Sequence, residues 1–184
     1  METFLLRQFQ REIERQCQFA MIALQDIDEA SANSDGKLFW YSIQNLLVAI
    51  GRISRLLWPP DENDSERGAA LRASLGVGDD SPLKPRTHVE YFENFDEYLV
   101  DWQRNSEHHR FFDSYTEPLD ILAETAGGDR FRGYDAEHNA ILFHDEPYHL
   151  GPISTAVDEL AERAEREMQK PRFDLDPAET QPSQ

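Results

Sequence analysis

The sequence predicts a mostly α-helical protein: an antiparallel helical bundle with a small β-hairpin inserted before the C-terminal helix. Three observations lead there. Apolar residues recur at steps of three and four through most of the first hundred positions. At about residue 130 the pattern changes to short β-type runs. After Gly151-Pro152 the helical period returns. With 184 residues, 39% of them hydrophobic and 11% aromatic, the chain can bury one core. A single domain is expected over residues 1–170, with a disordered, polar and proline-containing tail over 171–184.

The first helix is expected from residue 2 to about 30, because Leu6, Phe9, Ile13, Cys17, Ala20, Leu24 and Ile27 share one face. The turn formers Ser31 to Gly36 end it. A second helix follows from about Lys37 to Leu57, with Phe39, Ile43, Leu46, Leu47, Ile50 and Leu57 as its stripe. Trp58-Pro59-Pro60 stops it, since a residue before proline avoids helical angles. Gly51 costs that helix about 1 kcal/mol relative to alanine, and a close helix–helix approach would explain its presence. A short third helix spans about 65 to 75, with Gly76 at the C′ position.

The central stretch runs from Ser81 to Trp102. His88, Phe92, Phe95, Leu99 and Trp102 fall on one face of a single amphipathic helix, and Glu90, Glu93, Glu97 and Asp101 on the other. Ser81-Pro82 reads as a helix start, but Pro85 deletes a hydrogen bond inside such a helix and moves its regular part toward Pro85. Beyond Trp102 the periodicity weakens, with a short helix expected over Leu119 to Ala126 ending at Gly127-Gly128. Strands are expected at Phe131–Tyr134 and Ala140–Phe143, with a third small one near Glu146–Leu150. Ile153, Val157, Leu160, Ala164 and Met168 mark the last helix.

The formal charge is −18, from 36 carboxylates against 18 Lys plus Arg. An acidic surface repels phosphate backbones and anionic lipid, which weighs against an RNA or membrane partner. Abundant Asp and Glu beside only three lysines, Lys37, Lys84 and Lys170, also suit a salty environment. The one cysteine, Cys17, excludes an intramolecular disulfide and fits a reducing cytoplasm. The amino terminus carries neither a basic n-region nor a long apolar run, so no signal peptide is expected, and no segment has the length of a membrane span.

Motifs with strong chemistry are missing. The sequence holds no glycine-rich phosphate loop, no Cys-x-x-Cys, no His-Glu-x-x-His and no nucleophile elbow. Zinc needs three or four convergent ligands. Of the six histidines, His108 and His109 are adjacent and diverge, while His144 and His149 differ by five and would lie on opposite faces of a strand, so no metal or other cofactor is expected. The line of carboxylates on the central helix lacks the Glu-x-x-His pairs of a di-iron bundle and reads as a solvated face. One polar pattern stands out: Arg104 and His109, five apart. An arginine can hold a phosphate and a histidine can move a proton. The bland alternative is a charged loop.

The segments Leu75-Gly76-Val77, Asp80-Ser81-Pro82-Leu83, Glu93-Asn94-Phe95-Asp96-Glu97-Tyr98-Leu99 and Trp102 resemble a group of bacterial helical proteins. In that group the helix reads Arg-Asn-x-x-Glu-His-Phe-Asp-Glu-Arg-Leu-x-x-Trp. Tyr134-Asp135, Phe143 and Leu150-Gly151-Pro152 extend the likeness, which covers about residues 70 to 165. The Arg-x4-His of that pattern is similar to the signature of HEPN domains. The resemblance implies an α-helical bundle, often dimeric, of a family in which many members are metal-independent ribonucleases of toxin–antitoxin and anti-phage systems and others are non-catalytic binding modules. Its histidine would move the proton at the 2′-hydroxyl or leaving oxygen, and its arginine would hold the scissile phosphate.

This chain departs from the pattern at both key places. The arginine position is Val89 and the histidine position is Asn94. Valine carries no charge, and asparagine has no titratable proton near neutral pH. Arg86 and His88 lie close by in the wrong order, and Arg104 to His109 has the spacing at another place. The expectation is therefore a cytoplasmic, non-catalytic HEPN-like interaction module of a bacterial or archaeal defence or toxin–antitoxin type system, a homodimer through its aromatic-rich helices. One alternative is a metal-independent ribonuclease using Arg104 with His109 or Arg86 with His88. The other is a structural partner of an operon-encoded protein, meeting a basic surface with an acidic one.

Overall fold

The computed structural model describes residues 1–107, 109–116 and 129–171. Within them, six α-helices and one three-stranded antiparallel sheet follow in the order α1 (Thr3–Ala32), α2 (Gly36–Leu57), α3 (Ser65–Leu75), α4 (Thr87–Glu93), α5 (Phe95–Asn105), β1 (Arg132–Asp135), β2 (Ala140–Phe143), β3 (Glu146–His149) and α6 (Leu150–Met168). The mostly helical class with a small sheet before the last helix is what the periodicities predict. The helix expected over Leu119 to Ala126, His108, and the tail from residue 172 onward lie outside the described residues.

α1 packs lengthwise against both α2 and α6. The predicted stripes supply this core: Ile13, Cys17, Ala20 and Ile27 from α1, Phe39, Ile43, Leu46, Leu47, Ile50 and Leu57 from α2, and Ile153, Val157, Leu160 and Ala164 from α6 are all buried. Asp35 opens α2 by accepting a hydrogen bond from the Leu38 N–H. The Arg7–Glu167 ion pair, at 3.0 Å, joins the start of α1 to the end of α6, as antiparallel packing requires. Burial also pushes the Cys17 thiol up to about 12, so it is a protonated core group.

The central stretch is not one helix. Ser81–Lys84 forms a turn, helix begins at Thr87 beyond Pro85, and it breaks at Asn94 into α4 and α5. Asn94 lies just off helical angles, and Asp96 and Glu97 favour a new amino-terminal turn beyond it. Across the break Phe92, Phe95 and Trp102 still reach the same pair of buried rings, Phe131 and Phe143. Val89 is the buried residue of α4, and none of α5 is fully buried. Phe92, Phe95 and Trp102 are half-buried and Leu99 is exposed. The expected single helix is corrected by this break, while Phe92, Phe95 and Trp102 keep the packed side expected of them. Glu90, Glu93, Glu97 and Asp101 do face solvent. Gly51 has the reason foreseen for it: a Cβ there would meet Val89 Cγ1 at 2.8 Å, so α4 crosses α2 at a position without a side chain.

The sheet is a meander of order β1-β2-β3, one strand more than a simple hairpin. Arg132 pairs with Phe143 and Ala140 with His149. His144 and Asp145 connect β2 to β3, both with positive φ, as the tightest hairpin turns require. The expectation that His144 and His149 face opposite sides of one strand is thereby corrected: His144 sits in the turn and His149 ends β3.

Candidate functional site

The second cluster of the molecule is built where α4 and α5 lie over the sheet. Phe131, just before β1, and Phe143, at the end of β2, are fully buried. Around them stand Tyr91 stacked on Phe143 at 4.4 Å, Phe92, Phe95, Tyr98, Trp102 and Phe111. Edge-to-face and tilted contacts dominate, the geometry that ring quadrupoles favour.

Two charged clamps flank these rings. Arg130 holds the Asp145 carboxylate with two hydrogen bonds, one of 2.8 Å from Nε, and the Tyr115 hydroxyl donates to the same carboxylate at 3.3 Å. Arg132 holds Asp113 in the same two-pronged way and lies over the Phe95 ring at 4.2 Å. Residues 112–115 run beside β1, where Phe112 bridges to Arg130 and Tyr115 to Gly133. A Cβ on Gly133 would fall 2.2 Å from the Tyr115 ring, so only glycine admits that ring. Asp129 is buried and accepts hydrogen bonds from Trp102 Nε1 at 2.7 Å and Ser106 Oγ at 2.5 Å. Burial, with the Asp145 charge adding to it, raises the Tyr115 hydroxyl well above its ordinary value. Burial lowers the His144 imidazole, which is enclosed by Phe131, Phe143, Tyr98 and Tyr91.

The residues singled out in the sequence take other places. Arg86 precedes α4 and pairs with Glu93 at 3.4 Å, and its Nε is buried without a partner. His88 Nε2 lies 3.0 Å from the Glu146 carbonyl, and its ring stacks on Tyr148 at 4.8 Å, fastening α4 to the sheet. Val89 is in the helical core, whereas Asn94 is exposed at the helix break. Arg104 is exposed on the last turn of α5. His109 is beyond that helix with φ +48°, its N–H bonded to Ser106 Oγ and its ring edge-on to Trp102 at 5.7 Å. The Arg104–His109 spacing therefore spans a helix end and not a helix face. No group of three or more His, Cys, Asp or Glu side chains placed to hold a metal occurs among the described residues.

Arg130, Arg132, Asp113, Asp129 and Asp145 escaped the sequence reading. The two residues between the predicted second and third strands were a legible hairpin signal. Their carboxylate's partner was not, because Arg130 and Asp113 belong to segments without periodicity. In this arrangement the carboxylates hold Arg130 and Arg132, and the assembly positions chain segments.

A separate feature lies on the opposite side of the helical core. The outward faces of α1 and α2 leave a groove of about 340 Å³, lined by Phe19, Ile22, Asp26, Tyr41, Val48 and Arg52 among others. None of Arg86, His88, Arg104 or His109 lines it.

No known protein family, curated protein or solved structure matches this chain. No helix among the described residues is long and apolar enough to cross a membrane.

Proposed function

We propose that this chain is a HEPN-like helical binding module without catalytic activity, working as a homodimer in a bacterial or archaeal defence or toxin–antitoxin type system. The observation that carries the reading is the fate of the two pattern positions. Val89 is packed against Gly51 in the core, where a guanidinium would be buried with no room, and Asn94 is spent at a helix break. The nearby substitutes add support. Arg86 and His88 are engaged with Glu93, Glu146 and Tyr148, and a residue serving as a clasp is poorly placed to turn over a substrate. The −18 charge further disfavours an RNA phosphate backbone.

A ribonuclease assay without metal, on structured and single-stranded RNA, tests this. The expected result is cleavage no faster than buffer for the wild type and for Arg104→Ala, His109→Ala and His88→Ala alike. Cleavage that disappears in His109→Ala or His88→Ala overturns the non-catalytic reading and assigns the chemistry to that histidine. Purification from the native host distinguishes the homodimer from a structural partner of an operon-encoded protein: a second protein in fixed ratio supports the latter.

A further inference from the structure

We infer that the groove between the outward faces of α1 and α2 is the surface on which a second copy of this chain docks, about a two-fold axis through the middle of the groove. The inference takes from the proposed function only the homodimer, and assigns its surface.

The first argument is apolar exposure. Phe19, Ile22, Tyr41 and Val48 are 47%, 55%, 64% and 45% exposed, and all four line one groove. With roughly 200 Å² for a large apolar side chain, they present about 400 Å² of apolar surface. A stable interface of ordinary size takes about 800 Å² from each partner, a little over half of it apolar. The patch thus has the size of an interface core, and Ala23 and Ala49 in the groove leave its floor low enough for close helix approach.

Charge is the second argument. About one residue in five is acidic in the whole chain, yet α2 contains no Asp or Glu across its 22 residues. Its outward face instead carries Lys37, Arg52 and Arg55. Two copies with −18 each repel one another, and α2 is the described helix on which that repulsion is smallest.

The third argument selects a second copy over another acidic partner. α1 and α2 are antiparallel neighbours, so Gln16 and Arg52 mark one end of the groove and Asp26 and Tyr41 the other. The ends are about 15 Å apart at 1.5 Å per helical residue. One end is cationic and the other anionic. Neither Asp26 nor Arg52 enters an ion pair among the described residues. A two-fold axis at the centre places each Arg52 on the other copy's Asp26, twice over, while the middle, apolar but for Asn45, meets itself. The product is a four-helix contact of two α1–α2 pairs.

The test is the mass in solution by light scattering and sedimentation equilibrium, at about 0.3 M NaCl to screen net repulsion. The wild type is expected at twice the 21.3 kDa of the chain. Val48→Asp and Ile22→Asp are expected to be monomeric with unchanged circular dichroism, since both sites are solvent-facing. Arg52→Asp and Asp26→Arg alone each weaken the dimer by about tenfold, and the double exchange restores it. A wild type that stays monomeric at about 200 µM overturns both the surface and the homodimer. A dimer unaffected by Val48→Asp, or an exchange that fails to restore it, overturns the surface alone and returns the homodimer to the aromatic helices. Neither outcome bears on the ribonuclease assay.

Discussion

The core formed by α1, α2 and α6 and the cluster formed by α4, α5 and the sheet are built on different physics. The first is aliphatic and long-helical, and its residues come from one stripe on each helix. Apart from the Arg7–Glu167 pair at one end, burial holds it, and burial is indifferent to the exact partner provided volume is filled. The second is aromatic, made of short elements, and tied by Arg130–Asp145, Arg132–Asp113 and the hydrogen bonds onto Asp129. Those interactions are directional and need their partners in place. The core should therefore yield smoothly to loss of volume, whereas the aromatic cluster should yield sharply to loss of geometry.

The largest effect expected is in the core. Ile43→Ala removes a fully buried side chain and should cost about 2–5 kcal/mol, read as a lower midpoint of a cooperative denaturant transition. A loss confined to the sheet's amide protection would contradict the division into two regions. Next comes Gly133→Ala, whose Cβ falls 2.2 Å from the Tyr115 ring. About 1–3 kcal/mol is expected, seen first as faster hydrogen exchange in β1 and residues 112–115. Adding Tyr115→Ala should recover part of the exchange protection; if it recovers none, ring contact is not the cause. Arg130→Met leaves the half-buried Asp145 carboxylate without its arginine, with the Tyr115 hydroxyl still donating to it, at a cost of about 1–3 kcal/mol. The same change at Arg52, which enters no ion pair among the described residues, should leave chain stability unmoved.

The smallest effect is in pH, and its sign separates two histidines. His144 lies below the ordinary 6.5 because burial disfavours its charge. The unfolded chain then takes the proton first, so the contribution of His144 is whole above pH 6.5 and is lost as pH falls toward the lowered value. His138, exposed on the β1–β2 turn, is raised above 6.5 by its hydrogen bond to Asp135. Its contribution is whole below 6.5 and is lost as pH rises through the raised value. Imidazole proton shifts followed by NMR should place the two on opposite sides of 6.5, and coincident titrations would remove enclosure of His144 as a feature of the folded protein.

What could be read in advance follows the same line between regions. The α1, α2 and α6 stripes, the turn before α2 and the bare position at Gly51 were all visible, since each is local or periodic. In the central stretch periodicity named the packed side and missed the break. His88, Phe92, Phe95, Leu99 and Trp102 keep the helical spacing across Asn94, because a one-residue break leaves the count intact. The contacts of His88 with Glu146 and Tyr148 and of Arg86 with Glu93 were not legible either, since they depend on residues that the fold brings near.

By itself the sequence determined the helical class, the limits of α1, α2, α3 and α6, the place of the sheet, and the acidic surface with its carboxylate-free second helix. These depend on residue spacing and composition, which act over a turn or two of chain. Tertiary structure alone decided that α4 and α5 part at Asn94, that Arg130 and Arg132 are held by Asp145 and Asp113, and that Asp26 and Arg52 stand at opposite ends of one apolar groove. The two pairs and the groove join residues 15 or more positions apart, and no local preference encodes such a meeting until the helices have packed.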